Sequence, residues 1–408
     1  MSRPDVASGY IVGTSDVRLW GIDGAERLER QLRSAGVSEV LRGDTLPPPH
    51  GAVVLLRGDY LFEDRTIADL VRKPGVVVVA SGVLQGARVV AAHVPSRDLA
   101  VARAALEGKV EAQAIPDVVI QSPETLSMAF VRNLLKATPP VVLPVRVGRA
   151  AALERHLFDG SYKGVTDLVT KWVWPGPARG VTRICASVGI PPNAVTVVSF
   201  ALVVMVTLLF AKGRFAAGLA LAWLMTFLDT VDGKLARVTV TSTPLGHYFD
   251  HSIDVVHPPI WYFAWAWGVT GGVPGIWTVA PLLAAMLVAY LAGRLIETLF
   301  ESVGGFSLFT WRPFDSYFRL ILARRNPNLL LLMGFHFAGK PAAGLTAVAI
   351  WTVVSTVVLA IRLLQGVLAR RSGSLRPWLE DVGGEAGSAP AWARPFVADL
   401  AAVRHLVQ

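Results

Sequence analysis

The sequence predicts two joined parts: a cytoplasmic α/β domain, then an all-α membrane domain of six helices. Three observations point there. At 53% hydrophobic residues and a mean hydropathy of +0.49, the chain of 408 residues is too apolar for a soluble enzyme. The apolarity is uneven, with ordinary soluble composition over 1–150, long apolar runs over 194–369 and a polar stretch over 372–408. Finally, the positive charge of the chain, +9 in total, gathers in alternate loops.

The first part alternates strand-like runs, "GAVVLL" (51–56), "GVVVVA" (75–80) and "ARVVAAHV" (87–94), with the helical stretches 25–36 and 63–73. That alternation predicts a largely parallel sheet. The N-terminus lacks the basic and apolar regions of a signal peptide, so it is expected to stay in the cytoplasm. The single cysteine, Cys185, excludes an internal disulfide and reads as a small buried apolar residue.

Next comes a juxtamembrane stretch over 160–190. In "YKGVTDLVTKWVW", Val165, Leu168, Val169, Trp172 and Val173 fall on one helical face, which suits a helix lying in the membrane surface or a linker helix packed on the soluble domain. "PGPARG" is expected to break it. The membrane domain, 191–370, opens on Pro191, Pro192 and Asn193. Its spans are expected at about 194–211, 215–232, 245–267, 276–299, 327–339 and 343–368. Trp261, Trp265 and Trp267 read as an interfacial aromatic belt.

Lys163, Lys171, Arg179 and Arg183 precede the first span. Arg294, Arg312, Arg319, Arg324 and Arg325 lie between the fourth and fifth, and Arg370, Arg371 and Arg376 follow the last. The alternate loops hold only Lys212, Arg214 and Lys340. This is the positive-inside distribution, which accounts for the net charge without nucleic acid. It predicts a multi-pass protein of the inner (cytoplasmic) membrane with both termini in the cytoplasm, 371–408 being a cytoplasmic tail.

Within these apolar runs stands "DTVDGKLARVTVTSTPLGHYFDHSID". Asp229, Asp232 and Ala236 are spaced to share one helical face, with Gly233 beside them; Gly246, Asp250 and Asp254 share another. Two antiparallel spans can therefore bring four carboxylates together near the cytoplasmic boundary. Unneutralised, they would oppose one another's ionisation and be costly to desolvate. Two divalent cations, Mg2+ or Mn2+, remove that difficulty and suit phosphoryl chemistry. Gly233, Ala236 and Gly246 leave the backbone approachable, and Arg237 offers a cation for phosphate. His247, His251 and His257 flank the cluster and read as hydrogen-bond partners.

The spacing D-x2-D-G-x2-A-R-x8-G-x3-D-x3-D resembles the signature of the CDP-alcohol phosphotransferases at every fixed position, and the likeness extends over roughly 160–370, including "PPNAVT". The resemblance implies a six-helix domain, usually a homodimer, that displaces CMP from a CDP-linked donor by an alcohol acceptor. It further implies that Asp229, Asp232, Asp250 and Asp254 hold metal, that Asp229, Asp232, Gly233, Ala236, Arg237 and Gly246 meet the CDP group, and that Asp254, beside Asp250, is the general base. A six-span ion-coupled transporter or channel with a soluble binding domain is the competing reading, but it does not require Gly and Ala at fixed offsets or an arginine in the motif.

The N-terminal part resembles a truncated sugar-phosphate nucleotidyltransferase: Asp59 in "RGDYLF" matches that family's metal-binding Asp and Arg18 its loop arginine. Ser15 and Asp16 stand where glycines belong and the lysine is missing, so the domain is expected to be non-catalytic. The fusion resembles the enzymes of inositol phosphodiester synthesis. That likeness implies an inositol phosphate or similar polyol phosphate as acceptor, with CDP-diacylglycerol or a CDP-polyol as donor and membrane lipids around it. Arg312, Arg319, Arg324 and Arg325, on the same side of the membrane as the aspartates, suit either the acceptor's phosphate or lipid headgroups.

Overall fold

Strand β1 (Val6–Val12) leads into helix α1 (Gly24–Ser34) and the strands β2 (Glu39–Arg42), β3 (Ala52–Arg57) and β4 (Tyr60–Phe62). Helix α2 (Asp64–Arg72), strands β5 (Val76–Gly82) and β6 (Gly86–Pro95) and helix α3 (Leu99–Leu106) follow. Strand β7 (Val119–Gln121), the single turn α4 (Pro123–Leu126) and the short strands β8 (Phe130–Val131), β9 (Lys136–Ala137) and β10 (Val142–Pro144) complete this part. The computed structural model describes residues 6–43, 51–82, 86–242, 244–382 and 390–397.

Six strands pair in the order β2-β1-β3-β6-β5-β7. Val53 to Leu56 of β3 are fully buried, as a central strand covered on both faces requires. The sheet is largely parallel, as expected: β1, β2, β3, β5 and β7 run one way, and β6 alone is reversed, antiparallel to both β3 and β5. Three residues separate Gly82 from Gly86; that suits a hairpin, whereas a parallel partner needs a crossover of a dozen residues or more. Asp23 caps α1 by accepting from the Glu26 N–H at 2.6 Å, and Leu28 and Leu32 turn its apolar face to the sheet.

Helix α5 (Ala150–Gly160) leaves the sheet, and a π-helical turn over Val169–Val173 precedes α6 (Pro175–Val188). "PGPARG" thus starts a helix and does not break one: Pro175 sits at the first helical position, where the missing N–H costs nothing. The expected single apolar face is also split. Val165 and Val169 are buried against protein, whereas Trp172 and Val173 are exposed.

The helical part continues with α7 (Pro192–Ala211), α8 (Phe215–Val238), α9 (Pro244–Thr270), α10 (Ala280–Gly304), α11 (Pro313–Ile321), α12 (Arg325–Phe337) and α13 (Pro341–Ser372). Among the described residues, α7, α8, α10 and α13 are long and apolar enough to cross a membrane. Helix α9 has the length, but its first half is polar; α12, at 13 residues, extends only about 20 Å.

Trp261 and Trp265 are not an interfacial belt. They lie buried in the bundle core, and their indole N–H groups donate to Val203 O at 3.2 Å and Pro341 O at 3.0 Å. A buried indole needs such an acceptor, and backbone carbonyls supply it, that of Val203 in the middle of α7 and that of Pro341 at the start of α13. The C-terminal stretch is also packed. Helix α14 (Trp378–Val382) buries Trp378 and Leu379, Phe396 joins the same cluster, and Val397 bridges to Ala137 of β9.

Candidate active site

Helices α8 and α9 carry the two halves of the aspartate motif, and the first residue of α12 meets both. Arg325 donates through Nη2 to Asp229 Oδ2 at 2.5 Å and through Nη1 to Asp254 Oδ1 at 2.6 Å. A cation at a helix N-terminus opposes the macrodipole, and here two carboxylates offset that cost. Asp232, one turn along from Asp229, is buried. Its Oδ2 accepts from Thr196 of α7 at 2.8 Å, while its buried Oδ1 has no hydrogen-bond partner. Gly233 leaves open space: an added Cβ would meet only Arg237 Nη1, 3.9 Å away.

The other side of α8 is fastened to the end of α5. Lys234 donates to Ser161 O at 3.0 Å and stands over the Tyr162 ring; Arg237 donates to the same carbonyl at 3.2 Å. Lys136 of β9 reaches the adjacent Gly160 O at 2.6 Å, and burial pushes its ammonium down to about 8. Three cations thus gather where the last carbonyls of α5 concentrate negative charge. Burial, reinforced by the Lys136 charge, pushes neighbouring His156 down to about 4, so it is neutral at pH 7.

The four arginines expected to form one acceptor pocket have four different sets of partners. Arg325 bridges the aspartates, Arg324 pairs with Glu297 of α10, Arg319 lies over the Phe309 ring with a buried Nη1 left unpartnered, and exposed Arg312 stacks on Trp311. The side chains of Asp250, His247 and His251 lie outside what the structure describes, whereas Gly246 is half-buried in the first turn of α9. His257 is described: its Nδ1 contacts Ile253 O at 2.6 Å within its own helix.

Residues 190–359 match the family model of CDP-alcohol phosphatidyltransferases. This segment is a CDP-alcohol phosphatidyltransferase domain. The assignment sets aside the transporter reading. Over 156 residues the chain is 32% identical to the bifunctional IPC transferase and DIPP synthase of Rubrobacter xylanophilus, covering 38% of this chain and 33% of that protein. Over 79 residues it is 34% identical to the archaetidylinositol phosphate synthase of Pyrococcus horikoshii, covering 19% of this chain and 42% of the other. The chain therefore matches less than half the length of either relative. A solved structure of Mycobacterium tuberculosis phosphatidylinositol phosphate synthase, in complex with manganese and citrate, is also similar, at 21% identity over 46% of this chain and 88% of the other, with a TM-score of 0.35.

Among the described residues of the phosphatidyltransferase domain, no three carboxylates, histidines or cysteines are grouped closely enough to hold a metal ion. Arg325 stands between Asp229 and Asp254, and the side chain of Asp250 is not among those described. The donor set nevertheless suits divalent cations. It consists of carboxylate oxygens only, one of them a buried orphan, and two others already converge on a positive group.

Several residues that support the site escaped sequence reasoning. Thr196 lies within "PPNAVT" but had no assigned role. Tyr290 of α10 donates to Val255 O at 2.9 Å and accepts from Arg294 at 3.3 Å, tying α10 to α9 beside Asp254. Asn326 donates to Asp167 Oδ1 at 2.9 Å, fixing the start of α12 to the juxtamembrane turn. An arginine pair opening the polar "RRNPN" ahead of "LLLLMGF", where a helix dipole prefers anions, was the available signal for Arg325.

In the α/β part, a cleft of about 220 Å³ opens between Val12, Gly13, Thr14, Gly43, Arg57 and Asp59. Asp59 is held in a two-pronged ion pair by Arg57, at 2.8 and 2.7 Å, and Arg57 also donates to Leu106 O. A carboxylate so engaged is a poor metal ligand. The full-length protein given CTP, Mg2+ and a panel of sugar and polyol phosphates is therefore expected to release no pyrophosphate above background. Release with any of them overturns that expectation.

Proposed function

We propose that the protein is a six-span membrane transferase that moves a phospho-alcohol group from a CDP-linked donor to an alcohol acceptor and releases CMP. The observation that carries this reading is the convergence of Asp229 of α8 and Asp254 of α9 on one cationic point, inside the segment that matches the family model.

In this reading Asp229, Asp232, Asp250 and Asp254 hold two divalent cations, Mg2+ or Mn2+. Such ions, when bound, neutralise the pyrophosphate and polarise the reacting phosphoryl group. The open backbone at Gly233, with Ala236, Arg237 and Gly246, receives the CDP group. Asp254 takes the proton from the acceptor hydroxyl; its side chain is 39% exposed against 14% for Asp229, so an incoming alcohol can reach it. The acceptor oxygen bonds to the phosphorus next to the transferred alcohol, and the bond from that phosphorus to the CMP oxygen breaks.

The donor is a CDP-diacylglycerol in preference to a soluble CDP-polyol, because the site opens between apolar helices. The acceptor is an inositol phosphate or similar polyol phosphate. Arg319, with its unpartnered buried Nη1, and Arg324 are the groups that would meet its phosphate. The names of the relatives, an archaetidylinositol phosphate synthase among them, support inositol chemistry. We further read the protein as a homodimer of the cytoplasmic membrane with both termini inside, and its N-terminal domain as a non-catalytic nucleotidyltransferase relative.

A matrix of CDP-diacylglycerol and CDP-inositol against glycerol phosphate, inositol, inositol phosphate and lipid alcohols, read by CMP release, tests this. Release is expected with CDP-diacylglycerol and a phosphorylated acceptor, with Arg324→Ala raising the acceptor KM. If only unphosphorylated acceptors react, the phosphate pocket is wrong; if no pair releases CMP, the transferase reading fails.

A further inference from the structure

The end of α8, one turn beyond the metal-binding aspartates, is closed by side chains from the α/β domain. The carbonyls of its last turn can be followed one by one. Leu235 O accepts from the Thr239 N–H at 3.0 Å and from the Thr239 hydroxyl at 2.7 Å. Ala236 O accepts from the Thr241 N–H at 2.8 Å and Arg237 O from the Val240 N–H at 3.3 Å. That is the paired pattern in which a helix closes on a left-handed residue, a position that glycine usually fills. Here it is Val240, with φ of 52°, a conformation strongly disfavoured for a β-branched residue.

Two carbonyls remain, and both go to α1, some 210 residues earlier. Arg27 Nη2 donates to Val238 O at 2.6 Å, and Arg30 Nη1 donates to Thr239 O at 2.6 Å. Arg27 is only 3% exposed and also donates to Leu19 O, while Glu26 holds Arg30 at 2.5 Å. A guanidinium at a helix C-terminus satisfies orphan carbonyls and complements the dipole.

The loop ahead of α1 is docked just as firmly. The Trp20 backbone N–H donates to Glu154 Oε1 at 2.9 Å and its indole N–H to Glu154 O at 3.0 Å; its ring stacks on Phe158. At Gly21, with φ of 81°, a Cβ would stand 2.9 Å from Ala186 O of α6. Trp20, Phe158, Ala178 and Cys185 share one apolar cluster with Val231, Leu235 and Val238 of α8.

We propose that Arg27 and Arg30 are positioning residues of the transferase site: they clamp the left-handed turn after α8 and so fix α8 against α9, which holds the other half of the motif. The α/β domain thereby acts on the site through this cap and not through nucleotide chemistry of its own. The proposal rests on the reading that α8 and α9 carry the reacting groups.

The test uses the full-length protein reconstituted in lipid, with Arg27→Ala, Arg27→Lys, Arg30→Ala, Val240→Gly and the Arg27→Ala/Val240→Gly pair. Two quantities are followed: hydrogen exchange in the peptide covering 238–242, and CMP release from CDP-diacylglycerol. Arg27→Ala is expected to speed exchange there about tenfold and to lower kcat about ten- to a hundredfold, since small misplacements of reacting groups are costly. Arg27→Lys is expected to recover part of the loss.

Val240→Gly, which makes the left-handed turn favourable by itself, is expected to restore at least threefold of the release lost in Arg27→Ala. A generally weakened fold would not respond to a glycine at that one position. Exchange unchanged in a folded Arg27→Ala protein, or no recovery with Val240→Gly, overturns the proposal. Should Arg27→Ala fail to fold, the more exposed Arg30→Ala decides by the same two readouts. If the wild-type protein releases no CMP from any donor, the functional reading fails, while the exchange measurement still decides the cap.

Discussion

Asp254→Asn is expected to lower CMP release about a thousandfold while metal-dependent donor binding stays within a few-fold of wild type. Amide and carboxylate have nearly the same shape, so the variant keeps an oxygen for Arg325 and for the donor side of the site, but it cannot accept a proton. Loss of a positioned base costs about 10²–10⁴ in rate. The backbone that carries Asp254 is held independently of its carboxylate, through Tyr290 and Val255 O, so the helix should not shift. Asp229→Ala is the contrasting case. It removes a side chain only 14% exposed and aimed at the shared cationic point, and it is expected to abolish metal-dependent donor binding itself. Equilibrium binding of Mn2+ and of donor, set beside steady-state CMP release, separates the two outcomes. Normal CMP release by Asp254→Asn would refute its role as base, whereas undiminished Mn2+ binding by Asp229→Ala would refute the metal assignment.

What was legible in the sequence was whatever depends on spacing along one helix. The intervals from Asp229 to Asp232 and from Asp250 to Asp254 put each half of the motif on one face, and the alternation of strands and helices marked the sheet. What was hidden depends on which element meets which. Arg325 lies 71 residues from Asp254, and nothing in its neighbours distinguishes it from Arg324, which turns instead to Glu297. Hydrophobic periodicity could not reveal the direction of β6, because buried strands read alike whether parallel or antiparallel; the three-residue gap before it was the better guide. Trp261 and Trp265 were misread for a related reason. Composition places tryptophan at a membrane boundary, but a backbone carbonyl within the bundle offers the same hydrogen bond to an indole. Arg27 was invisible as a cap, since on α1 it is one of several arginines on an ordinary amphipathic helix.

Arg325→Met should destabilise the protein by about 3–5 kcal/mol when divalent cations are absent, the usual cost of removing one partner from a buried ion pair. The guanidinium is mostly buried and serves two carboxylates at once. Its loss leaves Asp229 and Asp254 facing each other inside an apolar bundle, with Asp232 already carrying one unpartnered oxygen. Methionine keeps much of the length of the stem, so the lost contribution is mainly the charge and its hydrogen bonds and not a cavity. Arg325→Lys, with one compact cation that cannot make two forked contacts, is expected to fall between the two. Divalent cations should then matter more to the variant than to the wild type. In wild type they must compete with Arg325 for the same oxygens; in Arg325→Met they meet carboxylates with no other counter-charge, and any ligand that binds only the folded state stabilises it. Thermal unfolding in detergent, in EDTA and again with Mn2+, reads both effects: a melting temperature several degrees below wild type in EDTA, and most of that gap closed by Mn2+. Equal melting temperatures in EDTA would mean that the aspartates do not depend on Arg325 for neutralisation. A gap that Mn2+ leaves untouched would mean that these carboxylates are not where the cations bind.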